Sequence, residues 1–307
     1  MTSKAFVVRV ILVTLFTLSV NILVSIFIDD YGLYRSTIDR EIKIHGSERT
    51  SKYLLSHKYI PDNFEGILIG PSYGDLMMNT RLINGFKIYN LSLNGGNISE
   101  LRILLNKVLE RKKMRFVVIC VDPYVFKDNG RKTNSITPKE YWSALGSVNS
   151  FSLQVKKIVN WYNPEANPYF DSGWGYYDST FAKRKLNSRL EINKRLAKGV
   201  EDIVVHPSSL REFGAVLEKL HLLDIDVFMY FYPKHEEILK NTPSYDEFKS
   251  KIMALTSKQD IVWDFNSNQY SRLVKQAESF SDGSHLSKVG ALIVLKEIER
   301  VLSSFYN

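Results

Sequence analysis

Short apolar runs alternate along most of this chain with longer stretches in which apolar positions recur every three or four residues. The short runs predict buried strands at Gly66–Gly70 (GILIG), Lys87–Leu93 (KIYNLSL), Arg115–Val121 (RFVVICV), Asp226–Tyr232 (DVFMYFY) and Asp260–Asp264 (DIVWD). The longer stretches predict helices. Ile98–Lys113 is opened by Asn97 with Glu100 three residues on, and Tyr245–Thr256 by the similar "SYDE". Ser208–Leu222 follows a proline, and Leu286–Phe305 places Ala291, Val294, Ile298, Val301, Leu302 and Phe305 on one face. Strand–helix alternation with near-continuous apolar strands predicts an α/β fold, a three-layer α/β/α sandwich around a five-stranded parallel sheet of flavodoxin-like type.

One run breaks the pattern. Val10 to Ile28 continues for about 19 residues without a charge, enough to cross a bilayer as a helix. Lys4 and Arg9 precede it and Asp29 and Asp30 follow, which predicts a cytoplasmic N-terminus and everything after residue 30 outside. A signal peptide is the rival reading, but the run is long for one and ends without a small-x-small pair. The expected organisation is a tail and transmembrane anchor over 1–28, a polar connector over 29–62, and an α/β domain over 63–307. Residues 127–205 interrupt the alternation with an aromatic block (Trp142, Trp161, Trp174 and Tyr177 among them) and a Lys/Arg-rich segment, expected as a helical cap over the site.

The formal charge of +8 suits an anionic lipid or glycan surface. No zinc-finger spacing, RNA-recognition motif or compact basic block accompanies it, so nucleic acid is not the expected partner. Cys120 is the single cysteine; inside "RFVVICVD" it reads as a buried, inert thiol. No His-Glu-x-x-His, paired cysteines or carboxylate cluster suggests a metal, and no glycine-rich phosphate loop suggests a nucleotide cofactor.

The candidate chemistry falls at the carboxyl ends of the strands, where doubly wound folds carry their sites. Ser72 follows the first strand, Gly95 and Gly96 the second, Asp122 the third and His235 the fourth, while Asp282 and His285 lie after the fifth. A serine with a late Asp-x-x-His supplies nucleophile, base and orienting carboxylate. Gly95 or Gly96 could donate a backbone N–H to an oxyanion. Asn97 reads as a helix cap or an oxyanion donor, with Asn94 an equally open candidate. Asp122 reads as a turn anchor or substrate contact, and His235 as an alternative base or a substrate-binding residue. Trp161, Trp174 or Tyr177 could stack a sugar ring. His45, His57, His206 and His221 have no partner in the local sequence and are expected at the surface.

"ILIGPSYGD", "IYNLSLNGGNISE" and "SDGSHLSKVG" together resemble the blocks of the SGNH (GDSL-like) hydrolase superfamily. The likeness is to its membrane-anchored extracytoplasmic branch, which includes alginate and peptidoglycan O-acetyltransferases and the D-alanyl transfer protein. The resemblance implies Ser72 as nucleophile, Asp282 and His285 as its partners, and an oxyanion donor at Gly95 or Gly96. It further implies O-acyl transfer, of acetyl by that analogy, to a cell-envelope polysaccharide at a bacterial inner membrane, facing the periplasm. A polytopic membrane-bound O-acyltransferase would supply the acyl group. Two departures stand out: Pro71 precedes the serine, and "VDPYVF" replaces the family's third block, Gly-x-Asn-Asp. An esterase acting on glycan or lipid esters, and a non-catalytic glycan-binding scaffold, are the alternatives.

Overall fold

The computed structural model describes residues 3–28, 33, 48–75, 78–127, 136–137, 139–161, 187–200 and 202–307. The strands are β1 (Gly66–Ile69), β2 (Ile88–Asn90), β3 (Phe116–Val121), β4 (Asp226–Phe231) and β5 (Ile261–Asp264). All pair in parallel in the order β2-β1-β3-β4-β5. This is the doubly wound arrangement, with its switch point between β1 and β3.

The period of two in the strands builds the layers. Val117, Ile119 and Val121 of β3, with Ile67 and Ile69 of β1, enter one core; Phe116, Val118 and Cys120, with Leu68, enter the other. The helices are α1 (Ser3–Ile28), α2 (Glu48–Leu55), α3 (Tyr59–Asn63), α4 (Ser72–Asp75), α5 (Ile98–Leu109), α6 (Lys139–Ser143), α7 (Val148–Trp161) and α8 (Ser188–Lys198). They continue with α9 (Pro207–Leu222), α10 (Glu236–Lys240), α11 (Tyr245–Met253), α12 (Ser271–Lys275) and α13 (Lys288–Tyr306). The first core takes Leu101, Leu104, Leu105 and Val108 of α5 and Phe213, Val216, Leu217 and Leu220 of α9. The second takes Ala291, Val294, Leu295, Ile298 and Leu302 of α13. Of the face expected there, Phe305 stays half-exposed at the rim, edge-on to Phe228 at 5.3 Å.

Several boundaries differ from the sequence expectation. Asn97 and Glu100 form the full capping box of α5. Ser244 does not cap α11; its hydroxyl instead accepts the Ile203 N–H at 3.1 Å, a partner distant in the chain. The connector expected over 29–62 is packed structure from Glu48 onward, with Tyr53, Leu54, Leu55, Tyr59 and Ile60 in the first core. Part of the 127–205 block packs on α1 rather than over the site: Gln154 of α7 donates to the Ser25 hydroxyl at 2.9 Å, and Gly146 lies against Ile22. Helix α1 is long and apolar enough to cross a membrane, a property it shares with signal sequences.

Candidate active site

Strand β1 ends against β3 and delivers the chain directly into α4. The Pro71 carbonyl accepts the N–H groups of Gly74 (2.9 Å) and Asp75 (3.2 Å), so Pro71 sits where its missing N–H is not needed. Ser72 opens this turn, and its own N–H therefore has no partner within the helix. Asn90, fully buried at the end of β2, secures the turn by donating to the carbonyls of Gly74 (2.7 Å) and Met78 (3.0 Å).

The Asp282–His285 loop is closed by an antiparallel bridge between Phe280 and Leu286, and by the Ser281 N–H donated to the His285 carbonyl at 2.7 Å. Gly283 adopts φ +76°, a conformation that side-chain-bearing residues rarely take. The reversal turns the N–H groups of Ser284 (3.0 Å) and His285 (2.8 Å) onto Asp282 Oδ1. Asp282 Oδ2 then lies 2.9 Å from His285 Nδ1. His285 Nε2 lies 3.1 Å from Ser72 Oγ, although the two are 213 residues apart in the chain. Nδ1 thus carries the proton toward the carboxylate and Nε2 is the acceptor for the serine hydroxyl. Burial pushes the Asp282 carboxyl up, but the hydrogen bond and charge of His285 and the two backbone donors outweigh it, leaving the group below its ordinary range.

The imidazole is further held by aromatic neighbours. Tyr73 lies 4.8 Å from His285 and stacks on Tyr232 at 4.4 Å. The buried Tyr232 hydroxyl accepts the Leu286 N–H at 2.7 Å, tying the histidine loop to the end of β4. Lys234 reaches Asp122 at 2.6 Å. Burial, with Asp122 nearby, raises the Tyr73 phenol well above its usual range and keeps it neutral. None of Tyr73, Tyr232 or Lys234 stood out in the sequence; their position one to four residues past a strand end was the available signal.

The other candidates divide. Gly95 is exposed at φ +64°, and its N–H makes no hydrogen bond among the described residues. Gly96 donates its N–H to the Leu93 carbonyl at 3.0 Å, closing the turn, and is not available to an oxyanion. Asn97 has its side-chain oxygen committed to the Glu100 N–H. Asn94 is gripped by its backbone: its N–H meets the Glu48 carboxylate at 3.2 Å and its carbonyl accepts from Arg49. Asp122 caps the turn at Pro123–Phe126 through the Tyr124 N–H and pairs with Lys234. His235 is buried, caps α10 and packs edge-on to Phe280; it does not join Ser72 as an alternative base. His206 caps α9 and His221 pairs with Asp260 at 2.7 Å, so neither is the unpartnered surface residue expected. His45, Trp174 and Tyr177 lie outside the described residues, as does the side chain of Trp161. Cys120 is buried and its thiol raised by burial, consistent with an inert core residue.

Beneath the site lies a charge cluster that the sequence did not reveal. Lys52 of α2, 2% exposed, donates to Asp75 of the nucleophile turn at 2.7 Å and to Glu48 at 3.1 Å, and also reaches the Ser92 carbonyl. Burial pulls the Lys52 ammonium down, yet the two carboxylates raise it above its ordinary value and hold it charged. Burial and the nearby Glu48 push the Asp75 carboxyl up. Helix α2 thereby grips both the Ser72 turn and the Ser92–Asn94 loop that leads to Gly95. Beside the triad lies a cavity of about 580 Å³, with Asp282 and Tyr73, the neighbour of the nucleophile, in its walls together with Tyr124, Arg195 and Lys234. A second cavity, of about 500 Å³ between Tyr53, His57, Ile103 and Trp142, holds no nucleophile. Among the described residues no group of His, Cys, Asp and Glu is arranged to hold a metal.

No family model matches the sequence, and no curated protein matches it. A solved structure from Streptococcus pneumonia, provisionally described as a platelet activating factor, is a distant structural neighbour: 13% identity and a TM-score of 0.44, over 83% of this chain and 91% of that one. A likeness at this level carries no weight for activity, which is read from the side-chain geometry.

Proposed function

We propose that this protein is a serine enzyme that transfers an acyl group, through an acyl-Ser72 ester, to a hydroxyl of a cell-envelope polysaccharide. One observation carries the reading: Ser72 Oγ, His285 Nε2, His285 Nδ1 and the Asp282 carboxylate form a continuous hydrogen-bonded chain of 3.1 and 2.9 Å links. In the forward half-reaction His285 Nε2 takes the Ser72 proton as Oγ attacks the acyl carbon. It then returns that proton to the departing oxygen. In the second half-reaction Nε2 takes the proton of the acceptor hydroxyl, that oxygen attacks the ester, and the proton passes back to Ser72. Asp282 stays ionised and steadies the imidazolium. The N–H groups of Gly95 and Ser72 are the assigned oxyanion donors, since Gly96 is engaged elsewhere.

The acyl group is acetyl by analogy with the resembling family. The α1 helix anchors the domain outside the inner membrane, and a polytopic O-acyltransferase delivers the acyl group to it. The cavity beside Asp282 has room for water as well as for an acceptor, which favours ester hydrolysis as the second reading whenever no acceptor fills it. The test is labelling of the full chain by a serine-directed fluorophosphonate, followed by product analysis on a chromogenic acetyl ester with and without oligosaccharide. Labelling that disappears in Ser72→Ala is expected, with acetylated sugar formed in the presence of acceptor. An unlabelled wild-type chain would overturn the enzymatic reading; free acetate under every acceptor tested would replace transfer by hydrolysis.

A further inference from the structure

The cavity beside the triad is roofed by α8. Its buried Ile192 is in backbone contact with the catalytic loop: a Cβ placed on Gly283 would lie 3.2 Å from the Ile192 nitrogen and 3.3 Å from the Glu191 carbonyl. Arg195 stands three residues on, on the same face of the helix, and enters the cavity wall. The other charges of that wall are largely matched. Asp122 pairs with Lys234 at 2.6 Å, Glu191 with Lys194 at 2.7 Å and Asp282 with His285 at 2.9 Å. Arg195 has no ion pair among the described residues, and neither has Lys198 one turn later; the exposed Asp202 is the carboxylate left to set against them. Arg195 is half-buried, and its charge reaches the Tyr73 phenol next to the nucleophile. A partly desolvated guanidinium presents a planar fork of donors with no acceptor of its own, and carboxylate and phosphate fit that fork. The cavity volume is that of a site for a small ligand such as a sugar unit.

We propose that this cavity is an anion subsite in which Arg195, with Lys198 at its mouth, binds a carboxylate or phosphate carried by the hydroxyl-bearing substrate. This rests on the acyl-transfer reading and narrows it: the accepting sugar is a charged one. Arg195 and Tyr73 line the same cavity, so holding the anion would set the distance between the accepting hydroxyl and acyl-Ser72.

Binding can be read without turnover, by saturation-transfer NMR on the full chain in detergent. Three probes share one ring: methyl glucoside (neutral), methyl glucuronoside (carboxylate) and glucose 6-phosphate (phosphate). The wild type is expected to bind at least one anionic probe about tenfold more tightly than methyl glucoside. The gap should shrink as salt rises, and whichever anion is favoured names the group. Arg195→Gln is expected to reduce the gap to about twofold or less, Lys198→Gln to narrow it by a smaller factor. Equal affinities for the three probes, or a gap that survives Arg195→Gln, would overturn the subsite. A chain that prefers anions yet is never labelled at Ser72 would overturn the acyl-transfer reading while the subsite stands. A chain labelled at Ser72 with no anion preference would overturn the subsite alone.

Discussion

Asp282 does two jobs with one carboxylate, orienting His285 and closing its own loop through two backbone N–H groups. Asp282→Asn keeps the shape but presents an amide to Nδ1, so the imidazole is held in the wrong tautomer. A loss of acyl-ester turnover on the order of 10²–10⁴-fold is expected, measured against Ser72→Ala as the floor. The carboxyl titrates below its ordinary value of 3.8 in the fold. Its contribution to stability is therefore complete above that value and lost as pH falls through the lower, folded value. Amide hydrogen exchange at Ser284 and His285 should accordingly accelerate below about pH 3.8, ahead of the β3 core, and in Asp282→Asn should show no such acid step. At this scale local sequence misled where a hydrogen bond was decisive. Gly95 and Gly96 are indistinguishable as letters, and only the turn bond to Leu93 separates them. His206 and His221 looked alike too, yet one is a helix cap and the other is a hydrogen-bond partner of Asp260, while His235, the alternative base, is a helix cap as well.

Helix α2 was hidden because its segment is polar in composition, and its buried cation is of a type normally found at the surface. The structure shows Lys52 compensating Asp75 and Glu48 behind both functional loops. Lys52→Met would leave two carboxylates facing one another in the interior. A loss of roughly 3–5 kcal/mol in the unfolding free energy is expected by denaturant titration, well beyond the usual effect of one substitution. Replacing Asp75 by Asn in the same chain should recover part of it, because one of the stranded charges is then gone. Unchanged stability in Lys52→Met would show that the cluster does not brace these two loops. Element boundaries moved by a few residues for similar reasons. The α5 capping box is local and was visible, whereas Ser244 found Ile203 across the fold instead of capping α11.

For the molecule as a whole, the contact between α1 and α7 sets how the domain stands against its N-terminal helix. Ser25 and Gln154 meet at 2.9 Å, and Cys120 is buried in the core. A Ser25→Cys, Gln154→Cys chain should therefore be joined by a short bismaleimide, which covers the reach that the longer glutamine side chain spans. It would be read as a mobility shift that either single variant lacks. Absence of the cross-link in folded protein would mean that α7 does not rest on α1. The same packing places part of the 127–205 block beside the apolar helix, leaving α8 as the element that roofs the cavity.

Pattern alone was enough for the five strands, the parallel sheet and the residues that could supply nucleophile, base and carboxylate, since strand burial and chain order are written in local periodicity. The anchor-length helix was equally plain, because length and absence of charge are properties of a single segment. Tertiary structure decided which backbone donor stays unengaged among the described residues, that Arg195 stands in the cavity wall with no ion pair among them, and that Lys52 braces the nucleophile turn. Each of these depends on a partner remote in the chain, and a hydrogen bond or ion pair between distant residues leaves no periodic trace in either of them.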